Sequence, residues 1–370
     1  MPAHRLLRAG QGPFNSKAGT SRLSDVTAAV LRLRAFAVLF LLIISFSLLS
    51  PDFLAPENVV LMIKHASLWS ILAVGATFVI LTAGIDLSVG ATVAFTGMIA
   101  GGLLYEGLII SPLGITIYFS VPVVVAITLA LGVGIGLING ILVTKAHVPP
   151  FIATLGVGYV VRGAAALRTN GATFPSLAGS PDLGNTGFDI FGGGHILTLP
   201  TQIWIMGAVA ITGILIARQT AFGRHIYAVG GNSHAALLAG IRVSRVTVAA
   251  YMICGFTAAV AGIIVASELG ATNPSAGTNF ELTAIAAVVL GGTSLFGGRG
   301  TVVGSIVGAF VIGMLADGLV LLGVTAFWQT VVLGLVIIAA VVIDQAQEAF
   351  EKSREVEAVP LAPPARSAAA

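Results

Sequence analysis

The sequence predicts an all-α polytopic membrane protein of about ten transmembrane helices, some of them short or broken. Three observations carry that expectation. Of 370 residues, 56% are hydrophobic and only 9% charged, where soluble domains carry roughly 25% charged residues, and the mean hydropathy is +1.01. Apolar runs recur along the chain, most of them close to the roughly 20 residues that cross a bilayer. Finally, the 46 glycines would weaken soluble helices but let membrane helices approach closely. The single cysteine, Cys254, excludes an internal disulfide and a cysteine-rich metal site and reads as a small packing residue.

In chain order the runs fall near 35–50, 66–83, 87–104, 115–140, 150–167, 200–217, 246–266, 281–292, 301–322 and 325–343. Residues 1–34 read as a cytoplasmic N-terminal segment. The first run is a retained span, because over thirty residues precede it and no small-x-small cleavage site follows. Between the second and third runs lies TAGIDLSVG, residues 82–90, with Asp86 between Gly84 and Gly90. A carboxylate in hydrocarbon costs roughly 2.5–3.5 kcal/mol on insertion scales, so the chain is expected to break here. Gly84 would close one helix, and Asp86 would cap the next by accepting from N–H groups near Ser88 and Val89. Asn139 and Thr154 are polar positions on the fourth and fifth runs, expected to bond between helices.

An outer loop, about 168–199, is rich in Gly, Pro, Asn and Asp and should be turn-filled with little regular structure. An inner loop, about 218–245, joins four arginines to a short apolar stretch suited to a helix on the membrane face. The 281–292 run, opened by Asn279 and Glu281, is too short to span alone, so it either extends at both ends or forms a buried half-helix. After it comes GGTSLFGGRG, in which Gly291, Gly292, Gly297, Gly298, Arg299 and Gly300 permit a sharp reversal. A tight turn and a hinge are both open readings. Residues 344–370 read as a cytoplasmic, disordered tail. Two glycine ridges, Gly132/Gly136/Gly140 and Gly300/Gly304/Gly308, predict close helix contacts.

Charge sets the orientation. With ten spans and both termini in the cytoplasm, 15 of the 18 Lys and Arg residues fall inside, leaving Lys64, Arg162 and Arg168 as exceptions. The pI of 9.2 therefore follows sidedness, and nucleic acid is not an expected partner. No G-x-x-x-x-G-K-[ST], H-E-x-x-H or G-x-S-x-G occurs, so neither a nucleotide site nor hydrolytic chemistry is expected on this chain. The spans hold almost no central ionisable residues, which argues against an ion-driven carrier. What remains is a gated passage powered by other proteins.

Four blocks then carry a resemblance: LTAGIDLSVGATVAFTGMIAG, GLINGILVTKAHVPPFIATLG, YAVGGNSHAALLAGIRVSR and ELTAIAAVVLGGTSLFGGRGTVVGSIVGA. In this order, across roughly residues 35–343, the chain resembles the permease subunits of ribose-type bacterial ABC importers. The resemblance implies a transport subunit in the inner membrane, without an ATPase site of its own. Its expected partners are a second permease, identical or homologous, two cytoplasmic ABC ATPase subunits or a fused one, an extracytoplasmic sugar-binding protein, membrane lipid and a monosaccharide. ATP and Mg would sit on the ATPase partners, with no cofactor on this chain. Related permeases for branched-chain amino acids or nucleosides are the alternative. The family also implies a cytoplasmic coupling helix like E-A-A-x-x-x-G, matched here by Ala235, Ala236 and Gly240, with His234 in the glutamate position and Arg242 and Arg245 following. A plain surface helix is the competing reading. Gly84, Asp86, Ser88, Asn139, Thr154, Asn279 and Glu281 become candidates to line a sugar pathway, and Thr283 stands where many relatives carry an aspartate.

Overall fold

The computed structural model describes residues 35–167 and 169–358. The expected segment 1–34, Arg168 and the tail beyond 358 lie outside the described residues. All ten expected runs are helical. They form α1 (Ala35–Leu49), α2 (Pro56–Leu81), α3 (Val89–Tyr105), α4 (Val121–Thr144), α5 (Pro150–Leu167) and α6 (Thr201–Gln219), then α9 (Val243–Leu269), α10 (Phe280–Leu290), α11 (Val302–Leu321) and α12 (Ala326–Ala358). Two short helices, α7 (Ala221–Gly231) and α8 (Ser233–Leu238), fill the 218–245 loop. Among the described residues, six helices are long and apolar enough to cross a membrane, and α1, α3, α10 and the 326–342 part of α12 are shorter apolar helices.

Three boundaries depart from the hydropathy reading. The second helix starts ten residues early, at Pro56 rather than 66, because Lys64 and His65 lower the local hydropathy yet lie within the helix, paired with Glu268 and Asp317. The fourth begins at Val121, not 115: residues 115–117 form β2 (Ile115–Ile117), which pairs antiparallel with β1 (Leu108–Ile110) about a left-handed Gly114, and Pro122 falls in the helix's first turn. The last helix runs on to Ala358, so residues 344–358 are not an irregular tail. That stretch lacks Gly and Pro and is rich in Ala, Glu, Gln, Lys and Arg, which sustain a helix.

α9 forms the centre of the bundle, packed on α4, α2 and α3. Its contact with α4 is the first glycine ridge: a Cβ on Gly136 would sit 2.7 Å from the Tyr251 carbonyl carbon, and one on Gly140 would sit 2.7 Å from the Val248 Cα. Bare backbones therefore meet along this seam. The second ridge is shorter than expected. Gly304 and Gly308 pack α11 against Gly291 and Ala287 at the end of α10, but Gly300 precedes the N-cap Thr301 at φ +139 and faces Thr293.

The loop between α5 and α6 consists of 3-10 turns and the two-residue strands β3 (His195–Ile196) and β4 (Leu199–Pro200), yet it is firmly held. Asn185 donates to the Leu104 carbonyl at 2.9 Å and accepts from Ser180 N at 2.7 Å. Phe188 is fully buried, and the Ser267 hydroxyl links its carbonyl to Gly192 N, each at 2.7 Å. These anchors sit at the ends of α3 and α9, opposite the α7 and α8 end of the bundle.

Candidate functional site

The chain breaks where the carboxylate predicted it. α2 stops at Leu81 in a Schellman turn, with Ala83 N bonded to the Ile80 carbonyl at 2.8 Å and Gly84 N to the Val79 carbonyl at 3.1 Å. The left-handed residue of that turn is Ala83, at φ 59, and not Gly84. Gly84 is small for another reason: a Cβ there would lie 2.8 Å from the Tyr251 hydroxyl. Asp86 is 6% exposed, and one of its carboxylate oxygens accepts from Ser88 N at 2.9 Å and Ser88 Oγ at 2.6 Å. It thus ties down the N-cap residue of α3 without reaching Val89.

Three other helices complete the knot. From α4, Asn139 Nδ2 donates to Ser88 Oγ at 2.7 Å and lies 3.5 Å from Asp86, while its own Oδ1 is buried with no hydrogen-bond partner. From α5, the Thr154 hydroxyl accepts from Leu87 N at 3.0 Å. From α9, the Tyr251 hydroxyl donates to the Ile85 carbonyl at 3.2 Å. Gly84, Asp86, Ser88, Asn139 and Thr154 are thereby brought together. Every exposed backbone group need not find water when neighbouring side chains supply partners.

The break runs from one level of the bundle to another. At the α7 end, the Leu81 carbonyl accepts from Gly298 N at 3.0 Å. At the other end, Gly90 lies so close to Gly277 and Glu281 that a side chain there would collide with both. At about 1.5 Å per residue, the 17 residues of α3 and the 11 of α10 rise roughly 26 and 17 Å, short of a core about 30 Å thick. α10 is therefore the half-helix of the two alternatives, and two helix N-termini meet inside the bundle. Asn279, the N-cap of α10, is exposed and left-handed at φ 65 with no side-chain cap bond, while the Thr283 hydroxyl donates to its carbonyl at 3.2 Å.

The Gly-rich turn 291–300 is packed against the break. Gly297 and Gly298, at φ +85 and +69, press on Ala83 and on Gly231 respectively. The Tyr227 hydroxyl of α7 donates to the Gly300 carbonyl at 3.0 Å, and burial raises this phenol above its ordinary pKa. Beyond α7, Asn232 caps α8 by accepting from Ala235 N at 2.9 Å. α8 closes in a second Schellman turn, with Gly240 at φ +84, its N–H bonded to Leu237 at 2.9 Å and Ile241 N to Ala236 at 3.0 Å. Gly240 is thus a helix terminator with open space around it. Ala236 is buried, while His234, Ala235, Leu237, Leu238, Arg242 and Arg245 are exposed.

Two polar cavities flank the head of α10. One, of about 280 Å³, is lined by Leu87, Gly158, Tyr159, Arg162, Thr278 and Glu281. The other, of about 260 Å³, holds the Lys64–Glu268 pair at 2.7 Å and the His65–Asp317 pair at 2.8 Å, with Gln202 bonded to Glu268 at 3.1 Å.

The family model for the permease component of branched-chain amino acid transport systems matches residues 58–341. The chain belongs to this permease family. Ribose import permease protein RbsC of Escherichia coli (strain K12) is 42% identical over 322 residues, covering 85% of this permease and 94% of RbsC. RbsC of Bacillus subtilis (strain 168) is 42% identical over 320 residues, covering 86% and 94%. Xylose transport system permease protein XylH of Escherichia coli (strain K12) is 34% identical over 348 residues, covering 80% and 86%. No solved structure matches.

Tyr251, Arg162 and the Lys64 cluster escaped the sequence reading of the permease. Tyr251 looks like a core residue on an apolar helix. Cys254 is fully buried on α9, within the apolar core. Lys64 and Arg162 did carry a signal, being two of the three basic residues that fail the sidedness count. Four ionisable groups on α2, α9 and α11 pair towards one end of these helices, with Glu268 next to the end of α9; family membership is a further argument against an ion-driven carrier.

Proposed function

We propose that this chain is the membrane-spanning permease subunit of an ATP-driven importer that moves a monosaccharide, a pentose or hexose, handed over by an extracytoplasmic binding protein. The observation that carries the reading is 42% identity to a ribose import permease across 94% of that protein's length. α8 is the coupling helix. Its exposed Leu237 and Leu238 form the apolar pair that seats in a groove of a cytoplasmic ATPase, and Arg242 and Arg245 meet acidic groups of that partner or lipid headgroups. Gly298 and Tyr227 join α7, the 291–300 turn and the break, so a push on α8 has a packed route to the helix ends around Asp86. A second permease copy or homologue completes the passage. ATP and Mg belong to the ATPase subunits, and both termini lie in the cytoplasm.

Reconstitution in proteoliposomes with the ATPase and binding protein tests the reading. ATP-dependent uptake of labelled ribose or xylose is expected. Uptake driven by the chain with no ATPase present would identify a secondary carrier instead, and uptake of leucine alone would assign the cargo to the amino-acid branch.

A further inference from the structure

The cavity of about 280 Å³ between α3, α5 and α10 approaches the lower end of the roughly 300–1,000 Å³ range of small-molecule sites. It shares a wall with the polar knot: a Cβ on Gly158 would touch the Leu87 carbonyl at 3.3 Å, so α5 leans directly on the break. Two opposite charges face this space. Arg162 reaches the Thr278 hydroxyl at 3.3 Å and, at 3.5 Å, the carbonyls of Pro274 and Ala276. A guanidinium has five N–H donors, and among the described residues no carboxylate pairs with this one within 4.0 Å. Glu281 stands in the first turn of α10 and lines the same cavity, its Oε2 turned against Gly90 and without a hydrogen-bond partner. Tyr159 adds an aromatic wall.

A donor and an acceptor thus line one small cavity with no ion pair within 4.0 Å between them. We infer that this cavity is the station where the sugar rests during transit, with Arg162 donating to and Glu281 accepting from its hydroxyl groups. Each sugar hydroxyl both donates and accepts, so one polyol satisfies both groups at once. Tyr159 offers the flat face against which the ring's C–H groups pack. Few contacts suit a carrier that must release its cargo. The inference rests on the sugar-permease reading proposed above. An amino acid, with its own carboxylate and ammonium, is the competing ligand.

The test uses the complete importer in proteoliposomes, with labelled D-ribose and 2-deoxy-D-ribose as probes and the same binding protein throughout. Glu281→Gln keeps the side chain's volume, and Tyr159→Ala alters a side chain that is 74% exposed and so leaves the fold intact. Ribose uptake is expected to fall about tenfold or more in Glu281→Gln and severalfold in Tyr159→Ala. The ribose to 2-deoxyribose uptake ratio should shift severalfold from wild type in Glu281→Gln, because a lost acceptor affects only the sugar whose hydroxyl it met. A structural defect would lower both sugars together. Unchanged uptake in both variants, or a fall with a constant ratio, overturns the inference while leaving the sugar reading in place. Wild-type importer that moves leucine and neither pentose overturns the sugar reading and this site with it.

Discussion

Asp86 shows how one residue decides local structure in a membrane. Its carboxylate holds Ser88 N and Oγ within 2.9 Å, while Asn139 supports Ser88 from α4. Asp86→Ala strands these donors in a buried site, at about 1–3 kcal/mol for each group left without a partner. The sole cysteine supplies the measurement, since Cys254 is fully buried. In detergent its thiol should stay unreactive towards a maleimide dye until the bundle melts, and Asp86→Ala should lower that melting temperature by several degrees. A variant melting with wild type would show that the break holds without its carboxylate. The break itself was legible in the sequence, because Asp86 between two apolar runs has few affordable places. Its partners were not: Tyr251 looks like an ordinary member of an apolar helix until α9 is laid against the break.

At the scale of elements, helix seams follow from where backbone meets backbone. Gly136 and Gly134 are two residues apart on α4, yet a Cβ on Gly136 would enter the backbone of α9 at 2.7 Å, whereas one on Gly134 would meet nothing within 4 Å. Gly136→Ala should therefore destabilise the bundle by about 1–3 kcal/mol through overpacking. Gly134→Ala should be neutral or stabilise by up to about 1 kcal/mol through helix propensity. The same dye-monitored melting curves read both. Equal effects would mean that the seam yields freely. Spacing alone identified the ridge on α4 but overextended the one on α11, since Gly300 is four residues before Gly304 and lies outside the helix. Periodicity cannot see where a helix starts when its N-cap, here Thr301, sits inside the repeat.

For the whole molecule, orientation is the property on which the mechanism turns. Leu238 on α8 and Leu197 in the β3–β4 turn are 77% and 79% exposed at opposite ends of the bundle. In whole cells, a membrane-impermeant maleimide should label Leu197→Cys and spare Leu238→Cys, and in inverted vesicles the pattern should reverse. Labelling of position 238 from outside would place α8 away from any cytoplasmic ATPase and remove the coupling mechanism. The charge count that supports this orientation also marked its own exceptions. Lys64 and Arg162, left over on the wrong side, are the residues that line the two polar cavities.

Hydropathy alone was enough to read a multi-pass membrane protein, the ten apolar helices found among the described residues, and the place where the chain must break. These are local properties: hydropathy sums over neighbouring residues, and a helix satisfies its own backbone within the segment. Which polar groups meet depends on how the helices pack. Asp86 and Asn139 are 53 positions apart, Leu87 and Thr154 are 67 apart, and Ile85 and Tyr251 are 166 apart. Away from water a buried polar group depends on whatever partner packing brings to it, and no pattern within a single helix encodes that encounter.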